Sequence, residues 1–221
     1  MKKLFIIANW KSYKTSLEAK EWLQELTNLQ FPVSSEKEVV VCVPFTLLPI
    51  LKEYTDEATL SVKIGAEDVS PFEEGADTGE VNAEQVKEFA DYAIIGHSER
   101  RKYFNEDDAL LTQKVQMALQ FQLTPIFCVQ DENTFIPEGV TLVAYEPIFA
   151  IGSGTPDTPE NAEKVIKTIK LKNPSVQYVL YGGSVKPENI NTFTTSPSID
   201  GALVGGASLE AEKFVALIKN A

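Results

Sequence analysis

Tyr92-Ala93-Ile94-Ile95-Gly96-His97-Ser98-Glu99-Arg100-Arg101 passes from four apolar residues through one glycine into a polar, charged tail. An apolar run without polar alternation describes a strand covered on both faces, as in a parallel sheet. The glycine ends the strand, and the chain's only histidine stands just beyond it. A histidine at the carboxyl end of a buried strand, backed by charged groups, occupies the place where an α/β enzyme puts an acid-base or polarising group. A hydrogen-bonded structural histidine fits the same position, so the rest of the chain has to decide.

The same unit recurs along the chain. Apolar, β-branched runs occupy 4–8, 39–43, 62–66, 92–95, 125–129, 142–145, 178–181 and 202–204. Amphipathic stretches at 16–29, 82–89, 107–121, 158–171 and 209–219 lie between or after them. Thr158 before Pro159-Glu160 is a helix start signal, and Asp107 opens an apolar face of Leu110, Leu111, Val115, Ala118 and Leu119. Eight strand-helix units in 221 residues predict a (β/α)₈ barrel over a doubly wound sheet, in a single domain spanning 1–221. One unit is defective. Between the fifth and sixth strands only 130–141 remain, interrupted by Pro137 and Gly139, so the helix expected there is largely missing and the barrel is thinly covered on that side.

Composition limits the function classes. The chain is 43% hydrophobic with only short apolar runs, which describes a soluble protein with a substantial core. A net charge of -12 without clustered Lys and Arg argues against nucleic acid, and an anionic ligand would need a locally positive pocket. Met1-Lys2-Lys3 followed by five apolar residues is too short for a secretion signal and reads as the first strand of a cytoplasmic protein. No membrane segment is expected. Cys42 and Cys128 each lie at the end of an apolar run, as reduced buried thiols. With one histidine and no cysteine cluster, no metal is expected.

In a barrel, chemistry belongs at the carboxyl ends of the strands. The first strand ends in Asn9-Trp10-Lys11, where the lysine is either a cation at the barrel mouth or a solvated surface group. The sixth ends in Glu146, after a fully apolar run and before Pro147, where a desolvated carboxylate calls for a reason. The segment Pro147, Ile148, Phe149, Ala150, Ile151, Gly152, Ser153, Gly154, Thr155, Pro156 and Asp157 is apolar, then glycine-rich, then stiff. That composition suits a closing lid. Gly182-Gly183-Ser184 and Gly205-Gly206 follow the seventh and eighth strands, each expected to lead into a helix and offer backbone N–H groups to a phosphate.

Taken in order, Ala8-Asn9-Trp10-Lys11, Ile94 to Arg101, Ala144-Tyr145-Glu146-Pro147, Ala150-Ile151-Gly152, Tyr181 to Val185 and Leu203 to Leu209 resemble the blocks of the triosephosphate isomerase family. The resemblance implies a TIM barrel that interconverts dihydroxyacetone phosphate and D-glyceraldehyde 3-phosphate in glycolysis and gluconeogenesis, with no cofactor. It implies Glu146 as the base, His97 as a neutral electrophile, Lys11 as the cation and Glu99 as its ion-pair partner. Asn9, Gly152, Ser184, Gly205 and Gly206 would bind substrate and its phosphate. This family is the standard example of a glutamate base working beside a neutral imidazole. Gly75 to Glu80 resembles the family's dimer loop, with Thr78 reaching a neighbouring subunit; a homodimer is implied, and the lost helix leaves room for higher assembly. Departures from the family's usual wording lie in the lid, with Ile148-Phe149 at its start and Thr155-Pro156-Asp157 at its far hinge, and in Val129-Gln130-Asp131 after Cys128. Two rivals remain at this point: a metal-dependent sugar-phosphate epimerase, which one histidine disfavours, and an impaired barrel acting as a phosphate-binding or structural module.

Overall fold

A computed structural model of the chain describes residues 2–29, 35–150 and 155–221. Eight parallel strands close into a barrel in sequence order. They are β1 (Leu4–Asn9), β2 (Lys37–Val43), β3 (Lys63–Ala66), β4 (Tyr92–Ile95), β5 (Thr124–Val129), β6 (Leu142–Tyr145), β7 (Tyr178–Tyr181) and β8 (Gly201–Val204). The ring closes where Ile7 pairs with Leu203. Every residue of β4, β6 and β8 is buried, which explains the unbroken apolar runs. Alternate side chains, such as Phe5, Ile7, Ile94, Ile126 and Leu180, fill the barrel interior. Ile6, Val41, Ile95, Phe127 and Val143 point the other way, into the layer shared with the helices.

The expected helices form within a residue or two of their predicted ends: α1 (Ser16–Asn28), α3 (Ala83–Lys87), α5 (Asp108–Gln120), α6 (Pro159–Lys172) and α8 (Ala211–Asn220). Their caps explain the starts. Thr15 and Glu18 form a capping box at α1, Asp107 accepts the Leu110 N–H, and Thr158 accepts the Asn161 N–H ahead of α6. Three further helices, α2 (Leu48–Glu57), α4 (Ser98–Phe104) and α7 (Ile190–Thr194), have no counterpart in the expected set. α4 buries none of its residues, so no apolar period announces it.

No helix joins β5 to β6. Residues 130–141 form turns and coil, in which Thr134 Oγ1 accepts the N–H groups of Gln130 and Asp131 at 3.2 Å each. Val140 and half-buried Ile136 cover this sector, beside Phe135 and Leu119, which are exposed. The two glycine turns differ from expectation. Gly206 opens a 3₁₀ turn (Gly206–Leu209), but after Gly182-Gly183-Ser184 no helix begins until Ile190, because Val185 to Glu188 continue as loop around Pro187. Any phosphate contact there would come from loop N–H groups without a helix behind them. Cys42 and Cys128 are free and buried. No described helix is long and apolar enough to cross a membrane.

Candidate active site

The site is built outward from the end of β4. Gly96 has φ 74°, and a Cβ there would come within 3.2 Å of Arg101 Nη2 and 3.3 Å of Leu111 Cδ1, so glycine alone turns the chain without strain. The turn makes His97 the cap of α4, where its Nδ1 accepts the Glu99 N–H at 3.2 Å. An accepting Nδ1 carries no proton, so the neutral ring holds its hydrogen on Nε2. Nε2 then donates to Glu146 Oε1 at 2.9 Å. Glu146 is 2% exposed. Its Oε2 accepts the Ser98 N–H at 3.0 Å, and the buried Cys128 thiol lies beside the same carboxylate. Burial first, and then Glu146, push that thiol well above its ordinary range. Gly182 lies behind the base, where a Cβ would stand 3.0 Å from Glu146 Cγ.

From the end of β1 comes the cation. Asn9 is buried, and its Oδ1 accepts the Lys11 N–H at 3.1 Å. Lys11 adopts φ 54°, a left-handed conformation uncommon for a side-chain-bearing residue, and its Nζ pairs with Glu99 Oε1 at 2.5 Å. Asn9, Lys11, His97, Glu146, Ser184, Gly205 and Gly206 all line one open cavity of about 540 Å³. Lys186 and Lys213 stand on the same wall. The chain as a whole is acidic, so these lysines make the cavity the place for an anion.

The lid candidates are partly described. Pro147 leads into a 3₁₀ turn (Ile148–Ala150) in which Ile148 and Phe149 are about two-thirds exposed and Ala150 is buried. Ser184 Oγ donates to the Ala150 carbonyl at 2.7 Å, so this hydroxyl fastens the root of the lid. Ile151, Gly152, Ser153 and Gly154 lie outside the described residues. At the far hinge, after Thr155 and Pro156, the Asp157 N–H donates to Tyr181 Oη at 2.7 Å and Asp157 Oδ2 accepts from Asn161 Nδ2 at 2.7 Å. Burial raises the Tyr181 hydroxyl to about 12, and its ring stacks on Phe193 at 4.1 Å. Thr78 sits in an exposed loop away from this cavity. Among the described residues no group of His, Cys, Asp and Glu could hold a metal ion.

Sequence reasoning missed the Ser98 N–H and Cys128 beside Glu146 and the Tyr181 hydroxyl at Asp157.

The triosephosphate isomerase family model matches residues 4–221. The chain belongs to the triosephosphate isomerase family. It is therefore an isomerase by family. It is 40% identical to the triosephosphate isomerases of Thermus thermophilus and Trichormus variabilis, with alignments of 252 and 241 positions covering 99% of each chain. That of Carboxydothermus hydrogenoformans is 39% identical over 251 positions, again covering 99% of both. These alignments exceed the 221 residues here, so the relatives carry insertions relative to this chain.

Proposed function

We propose that this member of the triosephosphate isomerase family interconverts dihydroxyacetone phosphate and D-glyceraldehyde 3-phosphate, the whole chain acting as one domain. The observation that carries this reading is the contact between Glu146 and His97 Nε2 at 2.9 Å, on a cavity that also presents Lys11 and both glycine turns. Both Glu146 oxygens are occupied at rest, one by His97 and one by the Ser98 N–H. Substrate entering between the two side chains would break the His97 bond and release a base and a donor together. Glu146 then takes the proton from the carbon beside the carbonyl. Nε2–H stabilises the enediolate oxygen as charge develops, and Glu146 returns the proton to the neighbouring carbon. Lys11 and Asn9 bind the substrate, and Glu99 holds Lys11 in place. Ser184, Gly205, Gly206 and Gly152 hold the phosphate. Lid closure keeps water from an intermediate that readily loses phosphate.

The same reading makes the protein a cytoplasmic homodimer that engages neither nucleic acid nor membrane. A second cavity of about 360 Å³ runs beside Asn9, Lys11, Glu67 and Tyr103, and it would receive the partner's Thr78 loop. Solution mass at two protein concentrations tests this part; a monomer at both would overturn it. Activity is tested by assays in both directions on purified protein without added metal. Absence of turnover with phosphate-ligand binding intact would leave only a binding module.

A further inference from the structure

Lys14 is the second left-handed residue in the short loop between β1 and α1, with φ 70°. That conformation suits glycine, and a residue with a Cβ holds it only where other contacts offset the strain. The lysine side chain supplies such contacts. Its Nζ donates to the Leu209 carbonyl at 2.8 Å and lies over the Trp10 ring, 5.2 Å from its centre. Leu209 ends the 3₁₀ turn that Gly206 begins, and Gly205 and Gly206 line the cavity that Glu146 and His97 share. We propose that Lys14 is a positioning residue that ties this turn to the loop carrying Lys11, so that substrate meets its cation and its phosphate site as one rigid unit. This rests on the reading that Gly205 and Gly206 hold the phosphate.

The loop and the turn also touch at a second point. A Cβ at Gly205 would stand 3.5 Å from Lys11 Cε, so the Lys11 stem lies against the residue that opens the turn. Within the turn, the Ser208 N–H and hydroxyl both donate to the Gly205 carbonyl, at 2.8 and 2.7 Å. The carbonyl at its far end is the one that Lys14 takes. Beneath Lys14 the packing is aromatic. Trp10, fully buried, meets Trp22 of α1 edge-on at 4.9 Å, and Trp22 meets Phe214 of α8 at 5.7 Å. This column joins the end of β1 to α1 and α8 as one apolar block, and the Lys14 cation is attracted to the Trp10 ring. A methionine at 14 would keep the stem and lose the hydrogen bond and the charge. A glycine would lose them together with the strain. Starting α1 does not explain the lysine, because Thr15 and Glu18 complete that cap between themselves.

The test compares the full chain with Lys14→Met and Lys14→Gly by steady-state kinetics, by competitive inhibition with inorganic phosphate, and by the amide NMR signals of Gly205 and Gly206 during phosphate titration. In Lys14→Met, KM and the inhibition constant for phosphate should each rise about five- to tenfold while kcat changes less than about twofold. Lys14→Gly should show the same weakening although its Tm falls by less than about 3 °C, because relief of the left-handed strain offsets the lost contacts. A lysine that serves stability alone would move Tm and leave the phosphate constant where it was, and that result overturns the proposal. So does a loss of kcat as large as the rise in KM. A weakening that disappears at tenfold higher protein concentration overturns it as well, because that would be subunit dissociation. The glycine signals separate the two readings. If neither moves with phosphate in the unsubstituted protein, the phosphate binds elsewhere and both readings fall. If both move there and titrate with the same midpoint in Lys14→Met, the Lys14 proposal falls alone.

Discussion

Lys114→Met should destabilise the protein by an amount that the structure allows to be worked out. Lys114, on α5, is buried and contacts Asp68 at 2.6 and 2.8 Å and Glu106 at 2.6 Å. Arg100 contacts the same two carboxylates, at 2.7 and 2.9 Å. The side chains of Lys114, Glu106 and Asp68 are only 4%, 2% and 15% exposed, so water cannot replace a lost partner. Removing one member of a buried pair costs about 3–5 kcal/mol. Arg100 remains to serve both acids, which places the loss near the lower figure, about 3 kcal/mol. For a domain of this size that corresponds to a fall in Tm of about 6–12 °C at pH 7. Burial already raises the Asp68 carboxyl, and Lys114 is the first group to oppose this. Without the lysine Asp68 takes up a proton more readily, so the deficit should shrink toward pH 5. Melting curves followed by circular dichroism at pH 5 and 8 supply the comparison. A fall under about 2 °C, or one of equal size at both pH values, would refute the reasoning, since either result means that the charges are not desolvated as the packing implies.

Four other outcomes are expected. Glu146→Asp withdraws the carboxylate from both His97 and Ser98 by about one methylene and should lower kcat at least a hundredfold with much less effect on KM; an unchanged kcat would exclude Glu146 as the base. Nitrogen NMR of the single imidazole should show the Nε2-protonated tautomer at pH 7, and a hydrogen on Nδ1 would contradict the bond from the Glu99 N–H. Gly182→Ala should lower kcat, because its Cβ would sit 3.0 Å from Glu146 Cγ and 3.1 Å from the Tyr145 carbonyl; wild-type turnover would mean that this wall yields freely. Glu67 binds its proton more tightly folded than unfolded, so its contribution to stability is present below about 4.5 and is lost as pH rises through about 8. Glu67→Gln should therefore have the higher Tm at pH 9 and gain less at pH 6; equal differences at both would count against it.

The strands were legible because full burial leaves runs such as Tyr92 to Ile95 with no polar residue to confuse the pattern. His97, Lys11 and Glu146 were legible because each interrupts such a run with a group that needs a purpose at that place. α4 was not, since a helix with no buried residue has no apolar period. The quartet of Asp68, Arg100, Glu106 and Lys114 was equally hidden: its members come from α4, α5 and two loops, and Asp68 and Lys114 are 46 residues apart. Residue types alone do not reveal such pairings. The expected helix behind Gly182-Gly183-Ser184 failed for a local reason, because Pro187 prolongs the loop before Ile190.

The uncovered sector between β5 and β6 gives the molecule a natural seam. Turns over 130–141 shield β5 where other strands have a helix, so transient opening of the barrel should begin there. Cys128 lies in that strand and Cys42 in β2, both among the side chains that fill the barrel interior. The two buried thiols are thus a matched pair of clocks, and their relative rates of trapping by a thiol reagent would time the parting of the seam against unfolding of the whole.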